Sequence, residues 1–249
     1  MPLIINDDNF TQFIHGGSRG YFGMFERSED REGCKTFQDL GIPLIPEDDW
    51  DDVISDLQRN KATIRDLCQD MGLPCLDQSR TNYCWVNAPT HCCEIMRLCE
   101  TGRVLSYSPA SAGAPIKRFR NVGGWGSQAL EFFKTDGLNE TADWPANSIS
   151  RTHYTDANQE KAKDNIVLEW FVLNSWQERG SCILAGIPTA DGYSWWSHEV
   201  CGTGLKIGSH DLEIRNSWGM SWGEDGFGFL TGRKKQAGDS VAICAMKPI

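Results

Sequence analysis

One cysteine in this sequence, Cys84, stands where a thiol could act as a nucleophile. Cys84 and Trp85 open a predicted helix, and the partial positive charge at a helix N-terminus lowers the pKa of a thiol there. Gln78 precedes Cys84 by six residues, so its side-chain amide could lie beside the Cys84 backbone N–H and help it to stabilise an oxyanion. On this segment alone, a small buried cysteine without a chemical role is the alternative.

Two downstream segments contain the other groups that thiol chemistry needs. His198 begins a predicted strand 114 residues after Cys84, and residues 215–223 read Arg-Asn-Ser-Trp-Gly-Met-Ser-Trp-Gly. In this order, the three segments resemble the active-site segments of the papain family of cysteine peptidases. The resemblance implies that the cysteine is the nucleophile and that His198 takes its proton. It also implies that Asn216 orients the imidazole and that Trp218 shields their hydrogen bond from water.

A further segment supports a peptide-binding cleft. Gly123 and Gly124 follow Cys84 by 39 and 40 residues and precede Trp125, and this run resembles the Gly-Gly segment with which the family pairs a bound peptide backbone. Glycine lets a substrate chain approach closely enough for short antiparallel hydrogen bonds. The resemblance therefore predicts that Gly123, Gly124 and Trp125 bind substrate.

The other four histidines have weaker contexts for a general base. His91 lies seven residues after Cys84 on the same predicted helix, about 10 Å along its axis, and could reach the thiol only by distorting that helix. His210 falls in a predicted hairpin turn, and His15 and His153 have no supporting neighbours. The base that the resemblance assigns is therefore also the one that the residues favour.

Some positions depart from the family pattern. Thr81 occupies the place, three residues before the nucleophile, where many members have a disulfide-bonded cysteine, and Asn82 and Tyr83 replace residues that are usually small. The Cys-to-His and Cys-to-Asn intervals are 114 and 132 residues, at or below the usual spacing. Because every catalytic group is kept, these changes indicate a distant member with trimmed loops between its lobes.

The resemblance covers about residues 74–249 and implies an α+β, papain-like fold. It predicts a helical left lobe over about 74–160, a β-barrel-like right lobe over about 161–249, and the active-site cleft between them. Residues 1–73 are predicted to be an N-terminal extension, because they lack the helical, charge-rich pattern of a typical propeptide. This extension could cover the cleft or stabilise the domain, and both roles stay open.

Hydrophobic spacing predicts the approximate positions of the elements. The interval 103–124 is rich in Ser, Ala, Gly and Pro and is predicted to be a loop. Helices are predicted over about 47–70 (one helix or a pair), 84–98, 126–137 and 166–178, and strands over 182–185, 198–207, 211–216, 226–231 and 240–247.

Charge and hydropathy exclude some partners. The net charge is −10, and no Lys or Arg run exceeds three residues, which argues against nucleic acid or an anionic membrane as the main partner. No apolar run approaches the ~20 residues of a membrane-spanning helix. The first residues lack the pattern of a signal peptide. These features predict a cytoplasmic or virus- or phage-associated protein, and the family resemblance implies that its substrate is a protein or peptide.

The ten cysteines are predicted to be mostly reduced thiols, because a chain without a secretory signal is not expected to carry a disulfide framework. Cys92, Cys93 and Cys99 lie near His91, but their spacing is not that of a structural zinc site. They fit the packed face of a buried helix instead. We therefore expect no metal and no organic cofactor.

Together these features predict a thiol-dependent peptide-bond hydrolase that works through an acyl-enzyme intermediate. Gln78 and the backbone N–H of Cys84 would bind the oxyanion. Amide ligation or deamidation would use the same groups and stays open. The alternative from another class is a papain-fold structural or binding component of a viral or phage assembly, in which the N-terminal extension could hold an assembly partner.

Overall fold

The computed structural model describes residues 2–14 and 34–249. Its helices are α1 (Trp50–Arg59), α2 (Ile64–Asp70), α3 (Cys84–Thr101), α4 (Ala110–Ile116), α5 (Gly126–Thr135), α6 (Asp156–Ala162) and α7 (Trp176–Leu184). Its strands are β1 (Ile4–Ile5), β2 (Lys35–Thr36), β3 (Val167–Val172), β4 (Thr189–Tyr193), β5 (His198–Leu205), β6 (Leu212–Arg215), β7 (Phe227–Leu230) and β8 (Asp239–Met246).

The strands form one mixed sheet with the order β1-β7-β6-β5-β4-β8-β3-β2. The six inner strands pair antiparallel, whereas β1 pairs parallel with β7 and β2 pairs parallel with β3. The sheet is open in its hydrogen bonding, because β1 and β2 lie at opposite edges. Helices together with this open mixed sheet agree with the α+β, papain-like fold that the resemblance implies, and that fold class is confirmed.

Helices cover both faces of the sheet. Consecutive residues of a strand point to opposite faces, and Cys201 of β5 packs in the core around α3 and α5 while Val200 packs in the core around α1 and α7. The helix that begins at Cys84 is buried along most of its length and ends at Gly102, which has a left-handed φ of 65°. The predicted nucleophile helix is therefore confirmed and lies at the centre of the fold.

Several other predicted elements are confirmed. The segment 47–70 contains a pair of helices, α1 and α2, and the helix predicted over 126–137 is α5. The four strands predicted after residue 198 are β5, β6, β7 and β8. Within the described residues, no helix is both long enough and apolar enough to cross a bilayer.

The prediction of a helix over 166–178 is wrong. Residues 167–172 form β3, which pairs antiparallel with β8 and contains irregular register on both sides of Glu169. This irregularity buries Val167, Trp170 and Phe171, whose i, i+3, i+4 spacing is the one that indicates a helix. A strand therefore produced the hydrophobic pattern of a helix.

The neighbouring prediction of a strand over 182–185 is also wrong. Residues 182–184 end α7, whose N-cap Ser175 accepts a hydrogen bond from the backbone N–H of Glu178. Glycine often ends a helix, but Gly180 lies in the middle of α7. The interval 103–124 contains α4 rather than loop alone, and β4 was not predicted.

Candidate active site

Cys84 is the first residue of α3, and its side chain is fully buried against Trp125. The preceding residue, Tyr83, occupies the N-cap and makes no capping hydrogen bond with its side chain. The Tyr83 hydroxyl instead donates to the Arg120 carbonyl (2.9 Å), and the Asn82 backbone N–H donates to the Asn121 side chain. The start of an 18-residue helix is thus directed at the thiol, which favours the thiolate.

His198 is the first residue of β5 and is fully buried. Its Nε2 lies 2.7 Å from Oδ1 of Asn216. The backbone N–H of Ser217 donates to the same Oδ1 (2.8 Å), which identifies that atom as an acceptor. His198 Nε2 must therefore carry the hydrogen, and in the neutral imidazole Nδ1 is the nitrogen that can take a proton.

Two tryptophans flank the imidazole of His198. The Trp218 ring lies 4.9 Å away at an interplanar angle of 31°, and the Trp196 ring lies 4.8 Å away at 69°. The predicted neighbour Trp218 is thus in contact with the His198 ring. Trp196 was missed at the sequence level, and the one visible signal is the Trp195-Trp196 doublet, which Ser197 separates from the histidine.

Gln78 is held beside the segment that contains Asn216. Its backbone N–H donates to the Ser217 carbonyl (2.9 Å), and the Ser217 hydroxyl donates to its side-chain Oε1 (2.7 Å). Its Nε2 donates to the Thr81 carbonyl (2.9 Å), which fixes the orientation of the amide. Two motifs that are far apart in the sequence are thereby joined by direct hydrogen bonds.

Two contacts indicate how α3 and β5 lie relative to each other. Near the starts of both elements, Trp125 packs on Cys84 while the next residue, Gly126, donates its backbone N–H to Glu199 Oε2 (3.1 Å). Farther along, Cys92 Sγ lies 3.7 Å from Cys201 Sγ. Cys92 is about 12 Å along the helix from its start, and Cys201 is about 10 Å along the strand from its start. The helix α3 and the strand β5 therefore both begin at the candidate site and run alongside each other from there.

Gly123 and Gly124 are buried, and Gly124 has a packing role of its own. A Cβ on Gly124 would lie 2.7 Å from Trp85 Cδ2 and 2.9 Å from Lys117 Cε. Lys117 Nζ lies over the Trp85 ring at 4.7 Å and over the Trp125 ring at 5.4 Å. Close packing thus requires glycine at position 124, and its predicted contact with substrate stays a prediction.

The other described histidines lie in different surroundings. His91 is fully buried on α3, and burial followed by the charge of Arg215 lowers its pKa well below 6.5. His210 Nε2 lies 3.0 Å from Asp51 Oδ1, and His153 packs against Trp144. His15 lies outside the described residues.

The cysteines near His91 do not form a metal cluster. Within residues 2–14 and 34–249, no group of three or more His, Cys, Asp or Glu side chains could hold an ion. Cys92 and Cys93 are buried as expected, and burial raises their pKa values well above 9.0. Cys99 is exposed, so its predicted place on the packed face of the helix is wrong.

The fold is that of the papain-like proteases. The structure aligns with xylellain, a cysteine protease from Xylella fastidiosa, with a TM-score of 0.59 over 68% of this chain and 82% of that chain, at 16% identity. It aligns with digestive procathepsin L 3 from the larval midgut of Tenebrio molitor with a TM-score of 0.58, over 68% of this chain and 66% of that chain, at 17% identity.

The sequence is similar to curated cysteine proteinases. It is 23% identical to fruit bromelain of Ananas comosus over 248 residues, covering 88% of this chain and 64% of that protein. It is 27% identical to cysteine proteinase 3 of Solanum lycopersicum, covering 71% and 57%. It is 28% identical to the gamete and mating-type specific protein A of Dictyostelium discoideum, covering 69% and 42%.

The extent of these similarities is limited. No protein-family model matches the chain. The chain spans between 42% and 64% of the lengths of these three relatives. The resemblance to papain-like cysteine peptidases that the motifs indicate is nevertheless confirmed, because both the sequence relatives and the structural neighbours include such enzymes.

Proposed function

We propose that this chain is a cysteine peptidase whose nucleophile is Cys84 and whose general base is His198. The observation that carries the proposal is the hydrogen bond of 2.7 Å between His198 Nε2 and Asn216 Oδ1. This bond leaves the Nδ1 lone pair of the neutral ring as the proton acceptor. Since β5 and α3 leave the site side by side, we expect Cys84 Sγ within about 3–4 Å of Nδ1.

The reaction proceeds in two halves. Nδ1 takes the thiol proton, and the thiolate attacks the carbonyl carbon of a peptide bond. The resulting oxyanion accepts hydrogen bonds from the Gln78 side-chain amide and from the backbone N–H of Cys84. The His198 imidazolium then protonates the leaving amine, which gives an acyl-enzyme.

Water completes the reaction with the same groups. Nδ1 takes a proton from the water that attacks the thioester carbonyl, and the carboxylic acid leaves as the proton returns to Sγ. Asn216 holds the ring in one tautomer throughout, and Trp218 limits the access of water to the His198–Asn216 hydrogen bond. The protease names of the relatives support a protein or peptide as the substrate.

A fluorogenic peptide library, assayed with and without the thiol-alkylating epoxide E-64, tests this function. We expect Cys84→Ala to abolish hydrolysis and E-64 labelling, and Gln78→Ala to lower kcat by about 10²–10³, as for one lost oxyanion donor. Asn216→Ala should have a milder effect, because His198 can still act as a base. The matched control is Cys99→Ala, which removes an exposed thiol from the same helix and should leave kcat unchanged.

One observation favours the second candidate, a structural or binding component. Cys84 and His198 have no exposed surface, so a peptide can reach Sγ only after neighbouring atoms move. A buried structural thiol would have the same burial. If the wild type cleaves no peptide of the library and E-64 leaves Cys84 unmodified in the folded protein, the peptidase proposal fails and the structural role is favoured.

A further inference from the structure

The segment that precedes residue 15 lies against the turn before His198. Residues 10–13 form a short 3-10 helix, and the Phe10 ring meets the Trp195 ring edge-on at 5.7 Å. Lys234 Nζ lies 3.2 Å above the Phe10 ring and 5.0 Å above the Trp195 ring. Two backbone hydrogen bonds join the start of the segment to β7, from Phe229 N–H to the Leu3 carbonyl and from Thr231 N–H to the Ile5 carbonyl.

A hydrogen bond connects this segment to the ring beside the imidazole. Trp196 Nε1–H donates to the Phe13 carbonyl at 3.1 Å, although the two residues are 183 positions apart. Only 2% of Trp196 is exposed. Its ring lies 4.8 Å from the His198 ring and 5.6 Å from the Trp218 ring. The N-terminal segment therefore contacts a side chain that itself touches the candidate base.

Ser197, the residue between Trp196 and His198, has a strained backbone conformation. Residues 194–197 join β4 to β5, whose end residues Tyr193 and His198 are paired. Ser197 has a φ of 48°, in the left-handed region that costs energy for a residue with a side chain. A strained turn needs support from its surroundings, and the Phe13 carbonyl supplies one such contact.

We propose that Trp196 is a positioning residue for His198, and that the Phe13 carbonyl holds Trp196 in place. The edge of the Trp196 ring blocks rotation of the imidazole out of the plane in which Nε2 reaches Asn216 Oδ1. The N-terminal segment thus acts on the His198 ring through Trp196. This inference rests on the proposed function for its kinetic part only.

Trp196→Phe tests the proposal, because it keeps an aromatic ring but leaves the Phe13 carbonyl without its donor. We expect kcat to fall about fivefold at unchanged KM, the effect of losing one hydrogen bond. In protein labelled with ¹⁵N-histidine, the Nε2–H resonance of His198 should broaden as the ring becomes mobile. The matched control is Trp195→Phe, since the buried Nε1 of Trp195 has no hydrogen-bond partner among the described residues.

The spectrum separates this proposal from the peptidase proposal, because it requires no turnover. An unchanged His198 resonance in Trp196→Phe, or an equal change in Trp195→Phe, would overturn the positioning role even in an active enzyme. Conversely, an inactive wild type whose resonance responds to Trp196→Phe alone supports positioning. Should Trp196→Phe not fold, Phe10→Ala provides the second measurement, since it removes the ring that packs on Trp195 without changing a residue of the turn. A smaller broadening of the His198 resonance is expected, and an unchanged resonance would overturn the positioning role.

Discussion

Glu94 is a buried carboxyl group on α3. The groups around Glu94 offset only part of the free energy that burial of its charged form costs. Its Oε1 accepts the backbone N–H of Tyr107 (3.0 Å), and its Oε2 lies 3.8 Å from His91 Nδ1. Burial raises the pKa of Glu94 to about 8, against the opposing effects of the Tyr107 N–H and the charge of Arg215. Protonated Glu94 is therefore the form that the folded state prefers below this pH.

This preference predicts a pH dependence of stability. The folded-state pKa lies above the ordinary value of 4.5, so the folded state binds the proton more tightly than the unfolded state does. The stabilisation is complete below about pH 4.5 and is lost as the pH rises to about 8, by at most roughly 1.4 kcal/mol per pH unit. Glu94→Gln keeps an acceptor for Tyr107 but cannot ionise.

Urea unfolding of wild type and Glu94→Gln at pH 5 and pH 8 measures the effect. We expect the free energy of unfolding of Glu94→Gln minus that of wild type to be larger at pH 8 than at pH 5. Glu100→Gln, an exposed carboxyl near the end of the same helix, should show no such increase. A difference that is the same at both pH values would contradict the buried, neutral state of Glu94.

At the scale of elements, the sequence predicts best where chemistry restricts the residue type. Cys84, His198 and Asn216 could be proposed as the site because thiol chemistry needs these side-chain types and because their order along the chain resembles that of the papain family. The contact of Trp196 with Phe13 could not be predicted, because it joins residues 183 positions apart and depends on where the N-terminal segment lies. The helix predicted over 84–98 begins at the expected residue and continues to Thr101, where Gly102 ends it.

The two errors between residues 166 and 185 have separate causes. The irregular register of β3 imitates helical spacing, and Gly180, a residue type that often ends a helix, lies inside a helix that continues to Leu184. Glycine is present there because of tertiary packing. A Cβ on Gly180 would overlap the six-membered ring of Trp50 on α1. Neither cause can be deduced from neighbouring residues alone.

Gly180→Ala should therefore destabilise the protein although alanine favours helices. We expect a loss of about 1–3 kcal/mol in the free energy of unfolding, as for other overpacked cores. Trp50→Phe removes the ring atoms that a Cβ would meet, so the double variant Trp50→Phe/Gly180→Ala should lose less than the sum of the single variants. Denaturant unfolding of all four proteins measures the coupling, and strict additivity would argue against the contact.

At the scale of the whole molecule, the described part of the first 73 residues contributes a short strand to each edge of the main sheet. β1 and β2 form its two edges, and α1 packs against α7. Residues 34–36 precede the helix pair, while residues 15–33 lie outside the described residues. The division into an extension and a domain that starts at Pro74 stays a prediction. Whether the extension covers the cleft or stabilises the domain stays open as well.

The two-residue strand β1 has a consequence for solubility. The Leu3 and Ile5 carbonyls accept hydrogen bonds from the backbone N–H groups of Phe229 and Thr231. Without β1, β7 would be an edge strand, and these N–H groups could pair with another molecule. Removing residues 2–5 should therefore promote self-association through β7, which light scattering during incubation at 37 °C would detect. Removing Pro248 and Ile249 from the other terminus is the control and should not increase scattering. Equal scattering by both shortened proteins would show that an uncovered β7 does not cause self-association. The expected difference would show that residues 2–5 prevent aggregation by pairing with β7.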